Sequence, residues 1–406
     1  MRSDDARLRF EIQSRDGAAR TGVLRTAHGD IHTPAFIPLA TKATVRSLAS
    51  EEVAELGYEL ILGNTYHLLL SPGPDRIAAH GGLHGFMAWP GPIITDSGGF
   101  QVFSLAHGNV ADEIKGRRGG GRSQGSVLEI SEEGVRFRSY LDGSEHMLSP
   151  ERSMQVQDAL GSDIALVFDE CTPYHADREY TARSVERTHR WLDRCVSWHA
   201  DNAPERQALF GIVQGGVYED LRRESAAAVA AAAVDGLAIG GTLGRDKQEM
   251  YGVLDMTVPH LPEEAPKHLL GVGEVDDLLA GVARGIDLFD CAVPTRLARH
   301  GMALTPDPNG RFRVNVRGAA MADQRGPLVE GCPCPACARY DRSYLHFLSR
   351  GEEITGVRLL TLHNLTYMQQ LMEGMRAAIA AGALSRFSEA TLSGQPPWDA
   401  LGAAVG

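Results

Sequence analysis

Acidic side chains close several of the apolar runs in this chain, and two of them could work on one bond. Ile93-Ile94-Thr95 runs into Asp96-Ser97-Gly98-Gly99-Phe100, and Leu288-Phe289 runs into Asp290-Cys291. A pair of carboxylates flanking a sugar suits glycosidic chemistry: one attacks the anomeric carbon and the other moves protons. The transition state is cationic at the sugar, so nearby carboxylates also lower its energy. Other groups suit a flat polar ring. Asp169 and Gln214 each end an apolar run and could read the edge of a heterocycle, and Phe100 offers an aromatic face. Glycines at 98–99, 215–216 and 240–241 would let a ligand approach bare backbone. Taken alone, Asp96 could equally cap the following helix. Three aspartates together with Gln214 are more polar than strand ends require.

A second group has metal-ligand spacing. Cys332, Cys334 and Cys337 form C-x-C-x-x-C, and His363 follows on a helical pattern. Three thiolates and one imidazole make a closed tetrahedral zinc site, structural because no position is left for substrate. Reduced thiols at this density in a Pro-rich loop would otherwise be a liability. A third group is basic. Between Arg296 and Arg317 stand Arg299, His300, Arg311 and Arg313, with Asp307 the only acid. This stretch lies beside Asp290, where a phosphate backbone could dock. The same residues could also form a solvated face with scattered ion pairs.

The elements that must hold these groups are legible as a rhythm. Apolar runs recur at Ala35–Ala40, Leu60–Asn64, Pro92–Asp96, Asp163–Asp169, Leu209–Gln214, Gly236–Gly241, His268–Gly273 and Leu288–Asp290. Near-continuous apolar strands are what a sheet buried on both faces needs. Helical patterns separate them, opened by Ser50 with Glu51 and Glu52, and by Ser149 with Pro150 and Glu151. Further helices are expected over Arg178–Ala200, Glu219–Val234 and Val275–Gly285. Eight strand–helix units predict an α/β fold, a (β/α)8 barrel, whose chemistry sits at the C-terminal strand ends. A doubly wound open sheet is disfavoured because no Gly-x-Gly-x-x-Gly follows the first strand. Residues 8 to 33 read as a preliminary hairpin with turns at Gly22 and Gly29-Asp30. Residues 106–143 break the rhythm with an Arg/Gly run, 116–122, then an alternating hairpin pattern. Leu365, Met368, Met372, Met375 and Ile379 make one helical stripe, for packing on the barrel or for a subunit contact.

Composition sets the class. The 406 residues are 43% hydrophobic and 23% charged, ordinary for a soluble globular enzyme. A net charge of −12 argues against non-specific nucleic-acid binding over the whole surface, though not against a local basic patch. The amino-terminal residues hold no apolar leader, and the longest apolar run, Ala226–Val234, is too short to span a bilayer. Six cysteines in a chain this long point to a cytoplasmic protein with a metal site rather than a disulfide scaffold.

At this point long motifs add up to a family. Asp96-Ser97-Gly98-Gly99-Phe100-Gln101-Val102, Phe168-Asp169-Glu170-Cys171-Thr172-Pro173, Gly211-Ile212-Val213-Gln214-Gly215, and Gly285-Ile286-Asp287-Leu288-Phe289-Asp290-Cys291 with Pro294-Thr295-Arg296 resemble the tRNA-guanine transglycosylases. The Cys332/Cys334/Cys337/His363 set belongs to the same likeness. The resemblance implies a barrel with a zinc-containing insertion, a homodimer, and exchange of the guanine at a tRNA wobble position for a 7-deazaguanine, preQ1 in the bacterial form. It casts Asp290 as nucleophile on C1′ and Asp96 as general acid/base. It casts Ser97, Asp169, Cys171, Gln214, Gly240, Gly241 and Thr242 as the base pocket, with Phe100 and Met250 sandwiching the ring. Thr242 stands where bacterial relatives usually carry leucine. Gly271, Val272, Gly273, Glu274, Val275, Asp276 and Asp277, with Thr295, Arg296, Leu297, Ala298 and Arg299, resemble the stretches that touch tRNA. The expected division is a catalytic barrel over 1–315, a zinc-binding subdomain over 316–365 and a C-terminal helix and tail over 366–406. Two other classes compete. A metal-dependent barrel hydrolase would need histidines at the strand ends. A non-catalytic RNA-binding paralogue would be expected to lack one aspartate.

Overall fold

The computed structural model describes residues 8–106, 127–241 and 244–405. A parallel sheet runs through the middle of the chain. Its strands are β1 (Ala35–Ile37, resuming at Leu39–Ala40), β2 (Ile61–Gly63), β3 (Ile93–Thr95), β4 (Ile164–Leu166), β5 (Ala208–Val213), β6 (Gly236–Ile239), β7 (Lys267–Leu269) and β8 (Leu288–Asp290). Each pairs in parallel with its neighbour in chain order. β1 breaks at Pro38. Its first half pairs with β8 and its second half with β2, so the split strand closes the ring. This is the expected (β/α)8 barrel, and it excludes the open doubly wound sheet. The strands are buried on both faces, which is why they read as unbroken apolar runs.

The helices stand close to their expected places. Ser149 caps Pro150–Leu160 by accepting from Arg152 N, with Pro150 in the first turn. The first barrel helix corrects the expected cap: it starts at Ser50, and Ala49 is the cap residue. Ser50 Oγ instead donates to Met87 O at 2.7 Å, while Glu52 accepts from Ala49 N at 3.0 Å.

The amino-terminal segment corrects the expected hairpin. It is a three-stranded antiparallel sheet of Arg9–Asp16, Ala19–Thr26 and Gly29–Thr33. Gly22 is not a turn. It sits mid-strand, where a Cβ would stand 2.6 Å from the Phe10 ring. The sheet is tied to the base of β8 by Arg20, whose guanidinium donates to both oxygens of Asp287 at 2.8 and 2.6 Å. After β3, Val127–Ile130, Val135–Arg138 and Glu145–Leu148 form another three-stranded antiparallel sheet, one strand more than the expected hairpin. The Arg/Gly run at 116–122 lies outside the described residues.

A 27-residue helix, Ile354–Ala380, carries His363 at its first third. It runs unbroken through the expected division at 365/366. Its stripe of Leu365, Met368, Met372, Met375 and Ile379 is buried within the barrel's own core cluster, so the stripe packs on the barrel. Tyr58 Oη donates to Leu365 O at 2.8 Å from the barrel side. A separate small core of Val316, Leu328, Val329, Leu345, Leu348, Leu359 and neighbours surrounds the cysteines. No helix among the described residues is long and apolar enough to cross a membrane.

Candidate active site and metal centre

The C-terminal strand ends place the acidic groups at one mouth. Asp96 follows β3 directly. Its Oδ1 accepts from Thr65 N at 2.9 Å and Gly98 N at 3.2 Å. Its Oδ2 accepts from Asn64 Nδ2 at 2.5 Å and Gln101 Nε2 at 3.0 Å. The bond to Gly98 N is a local turn of the kind a capping aspartate makes. The bonds to Asn64 and Thr65 cross to the end of β2, so Asp96 is clamped by two strand ends rather than serving one helix. Asn64 spends its own Oδ1 on capping the Thr65–Leu70 helix through His67 N. Burial pushes the Asp96 carboxyl up to about 7 against the pull of Thr65, and the charge of Asp290 pushes it further the same way. Asp96 and Asp290, on β3 and β8, therefore sense one another across the mouth.

Asp290 is 8% exposed. His268 Nε2 lies 2.9 Å from its Oδ1, and Gly271 N donates to the same oxygen at 3.2 Å. Oδ2 has no hydrogen bond among the described residues.

Asp169, after β4, binds neighbours through both oxygens. Ser97 Oγ donates to Oδ1 at 3.1 Å, and Gln214 Nε2 donates to Oδ2 at 2.6 Å. Burial pushes this carboxyl up to about 6, with Gln214 and Ser97 opposing. Gln214 Oε1 is buried and has no partner among the described residues, an acceptor that a ring N–H could satisfy. Gly240 and Gly241 back onto this amide. A Cβ on Gly241 would stand 2.4 Å from Gln214 Oε1, and its φ of +86° also favours glycine. The structure thus joins Asp96, Ser97, Asp169, Gln214, Gly240 and Gly241 through strand ends β3 to β6. Phe100 stands 37% exposed just after Asp96, whereas Met250 is 9% exposed and packs in the core cluster. Cys171 is partly buried, and Thr242 lies outside the described residues.

The stretch beyond β7 is largely occupied. Gly271 serves Asp290, and a Cβ on Gly273 would meet Cys291 Cβ at 2.5 Å. Val272 and Val275 are buried. Asp276 and Asp277 share Lys247 Nζ at 2.5 and 3.0 Å, and Glu274 pairs with Arg313 at 3.6 Å. The helix Val293–Arg299 leaves β8 with Thr295 and Ala298 buried, Leu297 partly buried and Arg296 exposed. Burial lowers the Arg299 pKa, and the like charges of Arg46 and Arg296 lower it further. That brings Arg46 close to the two arginines of the helix that follows β8. Arg46, between β1 and β2, is 250 residues from Arg296 in sequence, and sequence reading missed it.

Sequence reading also missed Arg222. It is fully buried on the Glu219–Ala231 helix. Its guanidinium donates to Gly216 O at 2.7 Å, Val213 O at 3.1 Å and Gly240 O at 2.9 Å. It thereby holds the ends of β5 and β6, and Gln214 and Gly241 with them. Burial pushes its pKa down to about 10. A charge in an otherwise ordinary helix gives no sequence signal of this role.

The four expected metal ligands converge. Sγ of Cys332, Cys334 and Cys337 lie 3.6, 3.4 and 3.3 Å from His363 Nδ1. Ligands around a tetrahedral zinc stand about 3.5 Å apart when Zn–S is about 2.3 Å and Zn–N about 2.05 Å. His363 Nε2 faces Leu304 O at 2.8 Å, which puts its proton there and leaves Nδ1 bare toward the thiols. The donors therefore fit one ion with no open position. A second group, His28, His84 and Asp163, lies at the opposite end of β4. Its two rings stack with centroids 3.8 Å apart. Two imidazoles on one tetrahedral ion would have centroids about 5 Å apart, so this stack is not a coordination geometry. It holds the amino-terminal sheet to the barrel through Asp163, which His28 Nδ1 approaches at 2.6 Å.

The family profile described as Queuine tRNA-ribosyltransferase matches residues 15–397. A Queuine tRNA-ribosyltransferase of Roseiflexus sp. (strain RS-1) is 51% identical over 386 residues, covering 92% of this chain and 96% of its own. Proteins of the same description from Pelotomaculum thermopropionicum and Deinococcus radiodurans are 50% and 49% identical. They cover 94% and 91% of this chain, and 96% and 88% of their own lengths.

Proposed function

This chain belongs to the queuine tRNA-ribosyltransferase family, and on that premise we propose that it exchanges guanine at the wobble position of tRNA for preQ1 through a covalent Asp290–ribose intermediate. It is a pentosyltransferase. The observation that carries the reading is the facing pair, Asp96 held near pH 7 and Asp290 with one oxygen unbonded.

The reaction follows from these atoms. The wobble nucleotide leaves the anticodon stack, at a cost of a few kcal/mol. Asp290 attacks C1′, the C1′–N9 bond breaks with its electron pair on the base, and protonated Asp96 gives that base its proton. The entering base then returns a proton to Asp96 as N9 attacks C1′ and the Asp290 carboxylate departs. One glycosidic bond replaces another, so no energy source is needed. Asp169 and Gln214 read the base edge, with Ser97, Cys171, Gly240 and Gly241 around it. Phe100 covers a ring face and recovers stacking. The Arg46/Arg296/Arg299 group takes tRNA phosphates, and the backbone of 271–277 and 295–299 lies along the same path.

Cys332, Cys334, Cys337 and His363 hold one structural Zn²⁺. The separate core around these cysteines supports the division into barrel and zinc-binding subdomain. Tyr344, Phe347 and Ile354 are 42%, 68% and 80% exposed beside it, which supports a homodimer. The expected setting is the cytoplasm. The test is incubation with anticodon stem-loop RNA and labelled guanine, with preQ1 and queuine as competitors. Incorporation of label, displaced by preQ1 in preference to queuine, supports the reading. No incorporation, or displacement by queuine alone, contradicts it.

A further inference from the structure

His268 is used by no step above. It sits on β7, beside β8, in register with Leu288. Its side chain is fully buried. Nε2 lies 2.9 Å from Asp290 Oδ1, and Nδ1 is buried without a partner among the described residues. This asymmetry fixes the ring's role. A proton on Nδ1 would have no acceptor, and a bare Nε2 would set its lone pair against a carboxylate oxygen. The proton therefore belongs on Nε2, where the imidazole donates to Asp290.

We infer that His268 is a positioning residue which, with the Gly271 amide, pins Oδ1 of Asp290 and leaves Oδ2 as the oxygen that attacks C1′. The inference rests on Asp290 being the nucleophile. Two donors on one oxygen also orient the carboxylate plane, so Oδ2 is presented to the mouth. When Oδ2 bonds to C1′, Asp290 becomes an ester and Oδ1 its carbonyl oxygen. An ester carbonyl accepts less strongly than a carboxylate oxygen. When the entering base displaces Asp290, the C1′–Oδ2 bond breaks and its electron pair returns to the carboxylate. The bonds from His268 and Gly271 then strengthen as the charge grows on Asp290. His268 should therefore hasten breakdown of the adduct more than its formation.

The experiment uses the full-length protein with its metal and an anticodon stem-loop RNA. Adduct is formed, then chased with guanine, and its decay is followed on denaturing gels. His268→Phe and His268→Leu remove the donor. His268→Gln keeps an N–H. Asp290→Ala is run in parallel, and thermal melts report folding. We expect the apolar variants to slow adduct decay by about tenfold or more, with KM for RNA changed less than about twofold. We expect the glutamine variant to regain part of the rate. Decay within about threefold of wild type in a folded apolar variant overturns the inference, as does a glutamine variant no faster than the apolar pair. Both apolar variants are made so that a folding failure of one leaves the other. Adduct in Asp290→Ala would instead remove the proposed reaction itself, so the two failures are distinct.

Discussion

Burial pushes the Asp96 carboxyl up to about 7, and the charge of Asp290, on the far side of the barrel mouth, raises it further. The two residues share a field across the C-terminal strand ends. A proton resting on Asp96 near neutrality can be given to a departing base and taken back from the next one.

The first prediction is a pH profile. Release of guanine needs Asp96 protonated, so the rate of adduct formation should fall as pH rises through about 7. Asp96→Asn should lose about 10²-fold or more in single-turnover adduct formation, with RNA binding retained. A flat profile from pH 6 to 9, or an active Asn variant, would remove Asp96 from proton transfer.

The same shift predicts stability. The folded protein holds this proton at about 7 against 3.8 for a free carboxyl. The native state thus binds protons more tightly than the unfolded state. Stability from this site is highest below pH 4, falls between about 4 and 7, and is level above. Asp96→Asn removes that loss. The new amide nitrogen faces the Asn64 Nδ2 donor, which costs the same at every pH, so the linkage is read as a trend: in urea unfolding the stability of the variant relative to wild type should rise by roughly 1–2 kcal/mol from pH 5 to pH 8. An advantage that grows as pH falls would contradict the sign.

Gly241 and Gln214 touch so closely that Gly241→Ala has no room, with 2.4 Å between the new Cβ and Oε1. Its φ of +86° adds strain. Base binding should weaken by about 1–3 kcal/mol, read as a raised KM for guanine with KM for RNA unchanged. Unaltered base affinity would separate Gln214 from the pocket.

Removing the metal should act on folding. Cys334→Ser, or prolonged chelation, should lower the melting temperature by several degrees and reduce metal content from one ion per chain. Adduct formation by the molecules still folded should persist. Immediate loss of chemistry with the melting temperature intact would argue for a metal in the reaction.

The arginine group predicts salt dependence. Arg296→Ala and Arg299→Ala should each weaken RNA binding at low salt and reduce the slope of log K against log salt by up to about 1. The chemical rate at saturating RNA should change little. Slopes equal to wild type would leave these arginines as a solvated face.

The barrel was legible because strands buried on both faces need continuous apolar runs, and all eight runs became strands. The aspartates at their ends were legible because polar residues there have few structural duties. What hid was whatever depended on distant partners. Gly22 looked like a turn, and only the Phe10 ring above it explains the glycine. The break of β1 at Pro38 depends on β8 and β2, which are far apart in sequence. Arg222 and Arg46 are unremarked charges until carbonyls and arginines from other elements surround them. His268, within Lys267-His268-Leu269, is an ordinary core histidine until β8 brings Asp290 against it.

The most direct measurement is the site of the covalent bond. The protein is incubated with anticodon stem-loop RNA, denatured and digested, and the ribose-bearing peptide is sequenced by mass spectrometry. The account predicts the added mass on Asp290 and no adduct in Asp290→Ala. Added mass on Asp96 or any other side chain, or an adduct that survives Asp290→Ala, would contradict it.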